Sequence, residues 1–428
     1  MVSVDERRDP FNKAPCDRVV IYTPDVLRSA LFNAIAEAQV ADVKLCVDRG
    51  ANLEWRDTGE QSCGLTTLQA AVCSGAGVQA KVDLVRYLLQ ERCGIEDIDY
   101  VESTALHFAA ASGCSEVVDL LLKHGANPKV YDAEALTPLH LAVNNGHLAA
   151  VRALLNNWAP VDLADTDVVD ADLEEERGAG MRASARVSVP GASLYIAKRG
   201  TALHVCAASN RVAIARFLIE KAGADVNSRK GAHGCTPLHI ACRAGHIDVC
   251  RLLIDSGADL NIADDTGETP LHRSIEHGDA TVVTLLLNAG ADACSQNVAG
   301  ITPLHLAAAF ARQGMLGLLA ARGADVNARC SKVYADWDGG RTPLHYAAHN
   351  GDLSSFRTLV SLGADLRALS FVGWPALFYA AEADRKEIVE FIAARDLEDG
   401  VHCLVDKGRT PLMVRFHVRE GRIPGSIR

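Results

Sequence analysis

The sequence predicts an all-α fold: a solenoid of helix-turn-helix units with protruding β-hairpin-like loops. Three observations carry this. The tetrapeptide Thr-Pro-Leu-His occurs at Thr137–His140, Thr236–His239, Thr269–His272, Thr302–His305 and Thr342–His345. Looser copies stand at Thr66–Gln69, Thr104–His107, Thr201–His204, Pro375–Phe378 and Thr410–Met413, and the commonest interval between copies is 33 residues. A period of this size marks units that bury their apolar faces only against their neighbours. Finally, a Gly-Ala pair recurs at unit ends, as at Gly125-Ala126, Gly223-Ala224, Gly257-Ala258, Gly290-Ala291, Gly323-Ala324 and Gly363-Ala364.

The unit from Thr236 to Glu268 shows how each element arises. Thr236 is a candidate N-cap, and Pro237 takes the first helical position, where its missing N–H costs nothing. Leu238, Ile240 and Ala241 start a short apolar helix that ends near Gly245. Ile247, Val249, Cys250, Leu252, Leu253 and Ile254 are spaced for one buried face of a second helix, which Gly257 stops. Asp264-Asp265-Thr266-Gly267 has turn composition and forms the protruding tip.

This unit resembles the ankyrin repeat family. The matching residues are Thr-Pro-Leu-His, Gly245-His246, Leu252-Leu253 and Gly257-Ala258-Asp259. The resemblance covers about ten repeats, over residues of about 25 to 420. Counting back from Gly50-Ala51 puts Ser29-Ala30-Leu31-Phe32 in the motif position of a degenerate first repeat, whose helix Thr23-Pro24-Asp25 starts early. The expected organisation is an N-terminal extension (1–24), a first repeat block (25–161), a charged insertion (162–199), a second block (200–420) and a tail (421–428). The resemblance implies that the motif histidine supports hydrogen bonds between repeats, and that the tips and first helices line a concave binding surface.

Departures from the pattern are the candidate functional features. Between Thr137 and Thr201 the chain carries 31 extra residues, preceded by Trp158 where other repeats have glycine. Residues 162–176 hold eight acidic and no basic side chains, and 177–199 hold five basic and no acidic ones. This block charge reads as a mobile surface loop, or as a docking segment with Ser184 and Ser188 as phosphorylation candidates. A lengthened tip, Arg329 to Arg341, carries Tyr334 and Trp337, and the next tip has Phe371 and Trp374. Such aromatics either fold onto the helices or meet a partner. Ser74 to Ala80 adds about five residues, expected as an inter-helix loop.

The net charge of −11 argues against non-specific binding of nucleic acid or anionic membranes. Thirteen cysteines without a framework read as reduced, buried and structural. No signal peptide or membrane span is visible, so a cytoplasmic location, extending to the nucleus, is expected. Cys235, His239, Cys242, His246 and Cys250 have ligand-like spacing, yet each takes a slot that the repeat already explains. No phosphate-binding loop, nucleophile elbow or kinase motif occurs. No catalytic, cofactor-binding or metal-binding residue is therefore assigned.

The expected function is a non-enzymatic scaffold, monomeric alone, that binds a protein partner. Candidate partner-binding residues are Tyr131, Arg229, Lys230, Asp264, Asp265, Tyr334, Trp337, Phe371 and Trp374, with the two aspartates pairing with basic groups of the ligand. The alternatives are a regulatory subunit or inhibitor of an enzyme or transcription factor, and an enzyme with its site in the insertion.

Overall fold

A computed structural model describes residues 23–57, 64–157, 200–229, 232–331 and 339–396. Contacts divide the chain into two units, Met1–Asp165 and Thr166–Arg428. In the first unit the described helices form four antiparallel pairs: α1 (Pro24–Ala36) with α2 (Val40–Asp48), α3 (Thr67–Cys73) with α4 (Val78–Gln90), α5 (Ala105–Ser112) with α6 (Ser115–Lys123), and α7 (Pro138–Asn144) with α8 (Leu148–Asn156). The first helices stack in the order α1, α3, α5, α7, and the second helices stack as α2, α4, α6, α8.

The second unit repeats the scheme six times. Its pairs are α9 (Ala202–Ser209) and α10 (Val212–Ala222), α11 (Pro237–Ala244) and α12 (Ile247–Asp255), α13 (Pro270–His277) and α14 (Ala280–Ala289), α15 (Pro303–Ala309) and α16 (Gln313–Ala321), α17 (Pro343–Asn350) and α18 (Leu353–Ser361), and α19 (Ala376–Glu382) and α20 (Lys386–Asp396). First helices again stack on first helices and second on second. No strand forms among the described residues, but isolated β-bridges join Arg56 to Thr66 and Leu369 to Pro375 at the necks of two tips. Among the described residues, no helix is long and apolar enough to cross a membrane.

The motif explains both the helix start and the stacking. Thr236 is extended (φ −89°, ψ 165°) and caps α11. Its backbone N–H donates to Nδ1 of His239 at 3.1 Å. That acceptor role leaves the imidazole proton on Nε2, which donates to the Glu268 carbonyl at 3.0 Å, one repeat further on. His107, His204, His272, His305 and His345 bridge to Leu136, Cys235, Ile301, Arg341 and Trp374 in the same way. Each acceptor is the residue before the next repeat's motif, so one side chain caps its own helix and binds the next unit. Burial pushes His239, His272, His305 and His345 down to about 4, so they stay neutral near pH 7.

Packing follows the expected spacing. Val249, Cys250, Leu252 and Leu253 of α12 are buried, and α11 buries Leu238 through Cys242. Burying each leucine contributes about 1.5–3 kcal/mol. At Gly245 the chain turns with φ +74°, and a Cβ there would stand 2.2 Å from Nε2 of His277 in the next repeat. The positive φ favours glycine, although Asn210 and Ala311 hold the same position with φ +55° in other repeats. Asparagines tie the second-helix exits: Oδ1 of Asn227, Asn261 and Asn327 accepts from the N–H of Asp259, Asp292 and Asp365 at 2.8, 2.9 and 2.8 Å.

Some sequence expectations need correction. The residues Ser74 to Ala80 are not all loop, because Val78, Gln79 and Ala80 form the first turn of α4 and lengthen it to 13 residues. Extended Gly77 (ψ 156°) starts that helix early. Nor are all cysteines buried. Cys46, Cys114, Cys206, Cys242, Cys250 and Cys330 are, but Cys73 and Cys294 are exposed. Thr23 does cap α1, accepting from the Val26 N–H. Trp158 and the last motif copy, Thr410–Met413, lie outside the described residues.

Candidate functional site

The tips are built by one residue in each turn. Asp264 donates its N–H to the Glu268 carbonyl (2.8 Å), closing the neck. Its Oδ1 then accepts the N–H groups of Thr266 (2.8 Å) and Glu268 (3.0 Å). Asp99, Asp132 and Asn297 make the same set with Val101 and Ser103, Glu134 and Leu136, and Ala299 and Ile301. A side-chain oxygen that mimics a turn carbonyl is why Asp and Asn occupy this slot in these four tips.

The residue after the turn former links the tips. Ala133 donates its N–H to Val101 O (3.0 Å), Asp265 to His233 O (2.9 Å), Val298 to Thr266 O (3.1 Å), Ser331 to Ala299 O (2.8 Å) and Phe371 to Gly339 O (2.7 Å). Its side chain is thus presented from a backbone fixed on both sides. At three tips that side chain is large, apolar and exposed: Tyr100 (72%), Val298 (68%) and Phe371 (54%). Tyr100 lies over Gly64 and Phe371 over Gly340, where a Cβ would come within 2.4 and 2.5 Å of the rings.

The sequence-predicted residues fare differently. Phe371 stands exposed, as expected. Trp374 does not wait for a partner: it is half-buried, with its ring 3.9 Å from that of Phe378 and its carbonyl taken by His345. Tyr131 is half-buried and engaged within the chain. Arg229 and Asp265 pair with each other at 3.1 Å, both more than half exposed. Lys230, Tyr334, Trp337, Ser184 and Ser188 lie outside the described residues.

Asp264 is the clearest correction, because its carboxylate is buried and committed inside the chain. Oδ2 accepts from Nε (3.2 Å) and Nη2 (2.5 Å) of Arg273. The guanidinium also pairs with Glu268 (2.9 Å) and Glu276 (3.5 Å), and its side chain is only 14% exposed. Burial alone would raise the Asp264 carboxyl, but the Thr266 hydroxyl and the Arg273 charge hold it below the usual carboxylate range. Burial pushes Glu268 up, despite the arginine. Arg273 directly follows the motif histidine, where Leu141, Val205, Ile240 and Leu306 stand in other repeats. This is an arginine in an apolar slot, held by three carboxylates.

The residues with metal-like spacing are already engaged. His239 uses both ring nitrogens in the repeat, and the thiols of Cys242 and Cys250 lie 3.7 Å apart in the core. Burial pushes the Cys242 thiol well up. Among the described residues, no group of three His, Cys, Asp or Glu side chains converges as a metal site.

Comparison with known proteins agrees with this architecture. The family model "Ankyrin repeats (3 copies)" matches seven overlapping stretches, beginning with 31–132 and ending with 344–414. The chain belongs to the ankyrin repeat family. Among curated ankyrin-matching relatives, it is 27% identical to the E3 ubiquitin-protein ligase KEG of Arabidopsis thaliana, over 56% of this chain and 15% of the ligase. It is 26% identical to the ankyrin repeat protein nuc-2 of Neurospora crassa, over 61% of this chain and 25% of that protein. It is 32% identical to mouse Rabankyrin-5, over 37% of this chain and 14% of the relative. The chain therefore spans a quarter or less of the length of these relatives.

Two features of this ankyrin repeat protein escaped the sequence reading. Tyr100 and Val298 occupy the same tip position as Phe371, directly after the turn former. Their signal was positional: Asp99-Tyr100 and Asn297-Val298 align with Asp264-Asp265. Arg273 carried a second signal, a charge breaking the apolar run after Leu-His.

Proposed function

We propose that the chain is a non-enzymatic interaction module that holds a protein partner at its repeat tips. The ankyrin fold makes it a protein-interaction module. One observation carries the placement at the tips. Tyr100, Val298 and Phe371 expose large apolar side chains on turns fixed by the residue before them and, for Val298 and Phe371, bonded to the neighbouring tip. A preordered surface loses little conformational entropy on binding, and exposed aromatics are frequent anchors of interfaces.

The acidic net charge favours a protein over a nucleic acid. The motif histidines and the turn-forming aspartates Asp99, Asp132 and Asp264 are engaged in caps and turns. The ligase name of one relative carries no activity to this chain, which spans 15% of that protein. Localisation in the cytoplasm fits the predominantly buried, free thiols among the described residues.

The test is quantitative affinity purification of the full chain against the triple variant Tyr100→Ser, Val298→Ser, Phe371→Ser. Partners enriched on the wild type are expected to be lost, with thermal unfolding nearly unchanged. The same partners at the same yield on the triple variant would overturn the assignment of the surface.

A further inference from the structure

We propose that Asp99 receives an arginine side chain of a protein partner, in the place that Arg273 takes beside Asp264. This rests on the interaction-module reading and adds the chemistry of one contact.

Asp99 is 96% buried, with a relative exposure of 4%. Its Oδ1 accepts the N–H groups of Val101 and Ser103 at 3.0 and 2.8 Å. Its Oδ2 is buried and meets no donor among the described residues. A buried carboxylate oxygen without a donor is costly, and folded proteins rarely leave one so.

The chain itself shows what satisfies this oxygen. In the same turn position, Asp264 Oδ1 makes the same two backbone bonds, and Oδ2 takes a guanidinium. Arg273 stands nine residues after Asp264; nine residues after Asp99 stands Phe108, which has no donor. Asn297 avoids the problem differently, because its side chain carries an amide that donates to Glu268. The cation at the Asp99 tip, Arg56, is spent elsewhere. It donates Nη1 to the carbonyls of Ile98 and Gly64 and stacks over the Tyr100 ring at 5.8 Å.

The surroundings suit arginine over lysine. Tyr100, Ile98 and Val101 are exposed around the turn, and Phe108 is half-buried. A guanidinium is planar, weakly hydrated and able to stack on such rings, whereas an ammonium gives up more hydration. The ligand class is a peptide segment with an arginine flanked by apolar residues. Because Oδ2 is covered, its entry displaces a neighbouring side chain.

The experiment measures fluorescence polarisation of the full chain with labelled leucine-arginine-leucine peptides and their citrulline and lysine counterparts. Citrulline keeps the shape and loses the charge. We expect the arginine peptide to bind at least about tenfold tighter than the citrulline peptide. Asp99→Asn should erase that preference, and the turn tolerates it because Asn297 already fills the same position. Phe108→Arg supplies an internal guanidinium, so it should also erase the preference and raise the melting temperature. The proposal fails if arginine and citrulline peptides bind alike, if lysine equals arginine, or if neither peptide binds at millimolar concentration. It fails too if either variant keeps the preference. Should that happen while the triple tip variant still strips partners, the arginine contact alone falls and the interaction surface stands.

Discussion

The turns at Asp99 and Asp264 share a backbone and differ in how their charge is settled. Both aspartates close a neck and hold two backbone N–H groups on Oδ1. Behind Asp264, Arg273 fills an apolar slot and answers the remaining oxygen; behind Asp99, Phe108 keeps the slot apolar, and that oxygen meets no donor among the described residues. The bridges into these turns differ as well. His239 Nε2 donates to the Glu268 carbonyl, while Gln69 Nε2 donates to Ser103 O at 2.7 Å in the corresponding place. One geometry therefore holds an internal ion pair in one repeat and a buried acceptor without a donor among the described residues in another.

The largest effect on this contrast should come from Arg273→Leu. It strands Asp264 and Glu268 without their cation and should cost about 3–5 kcal/mol, measured by urea unfolding. A loss below about 1 kcal/mol would mean that the two turns are equivalent after all. A smaller effect concerns acid. Burial pushes His239 down to about 4 in the fold, against an ordinary 6.5, so the unfolded chain binds its proton first. Its contribution is whole above pH 6.5 and is lost as pH falls to 4. His239→Gln copies Gln69, so the variant should lose less stability than the wild type between pH 6.5 and 4. An unchanged slope would show that this histidine does not set the acid response. The smallest effect is expected at Asp265→Asn. Its exposed pair with Arg229 should be worth no more than about 1 kcal/mol, and raised salt should shrink it further.

Most of the fold was legible because Thr-Pro-Leu-His is a local instruction. Proline at the first helical position, threonine as cap and histidine three residues on define where each first helix begins. Gly245 and Gly257 marked helix ends for equally local reasons. The site was less legible, because ownership of a side chain is a tertiary fact. Asp264 looked available until Arg273 was seen beside it, and Trp374 until Phe378 was seen beneath it. Tyr100 sits in a tip of ordinary length, so only its register after Asp99, and no insertion, marks it.

The neck has a consequence for what these tips can become. Cys330 N–H donates to Arg341 O, and Gly340 N–H returns to Cys330 O, although the spacing from Thr302 to Thr342 is 40 residues where the neighbouring units have 33. The Asp57 N–H likewise closes onto Leu65 O. A closed neck isolates whatever is spliced beyond it from the phase of the stack. Each tip is thus a cassette: its contents can be exchanged or lengthened by mutation or by design while the helices keep their frame.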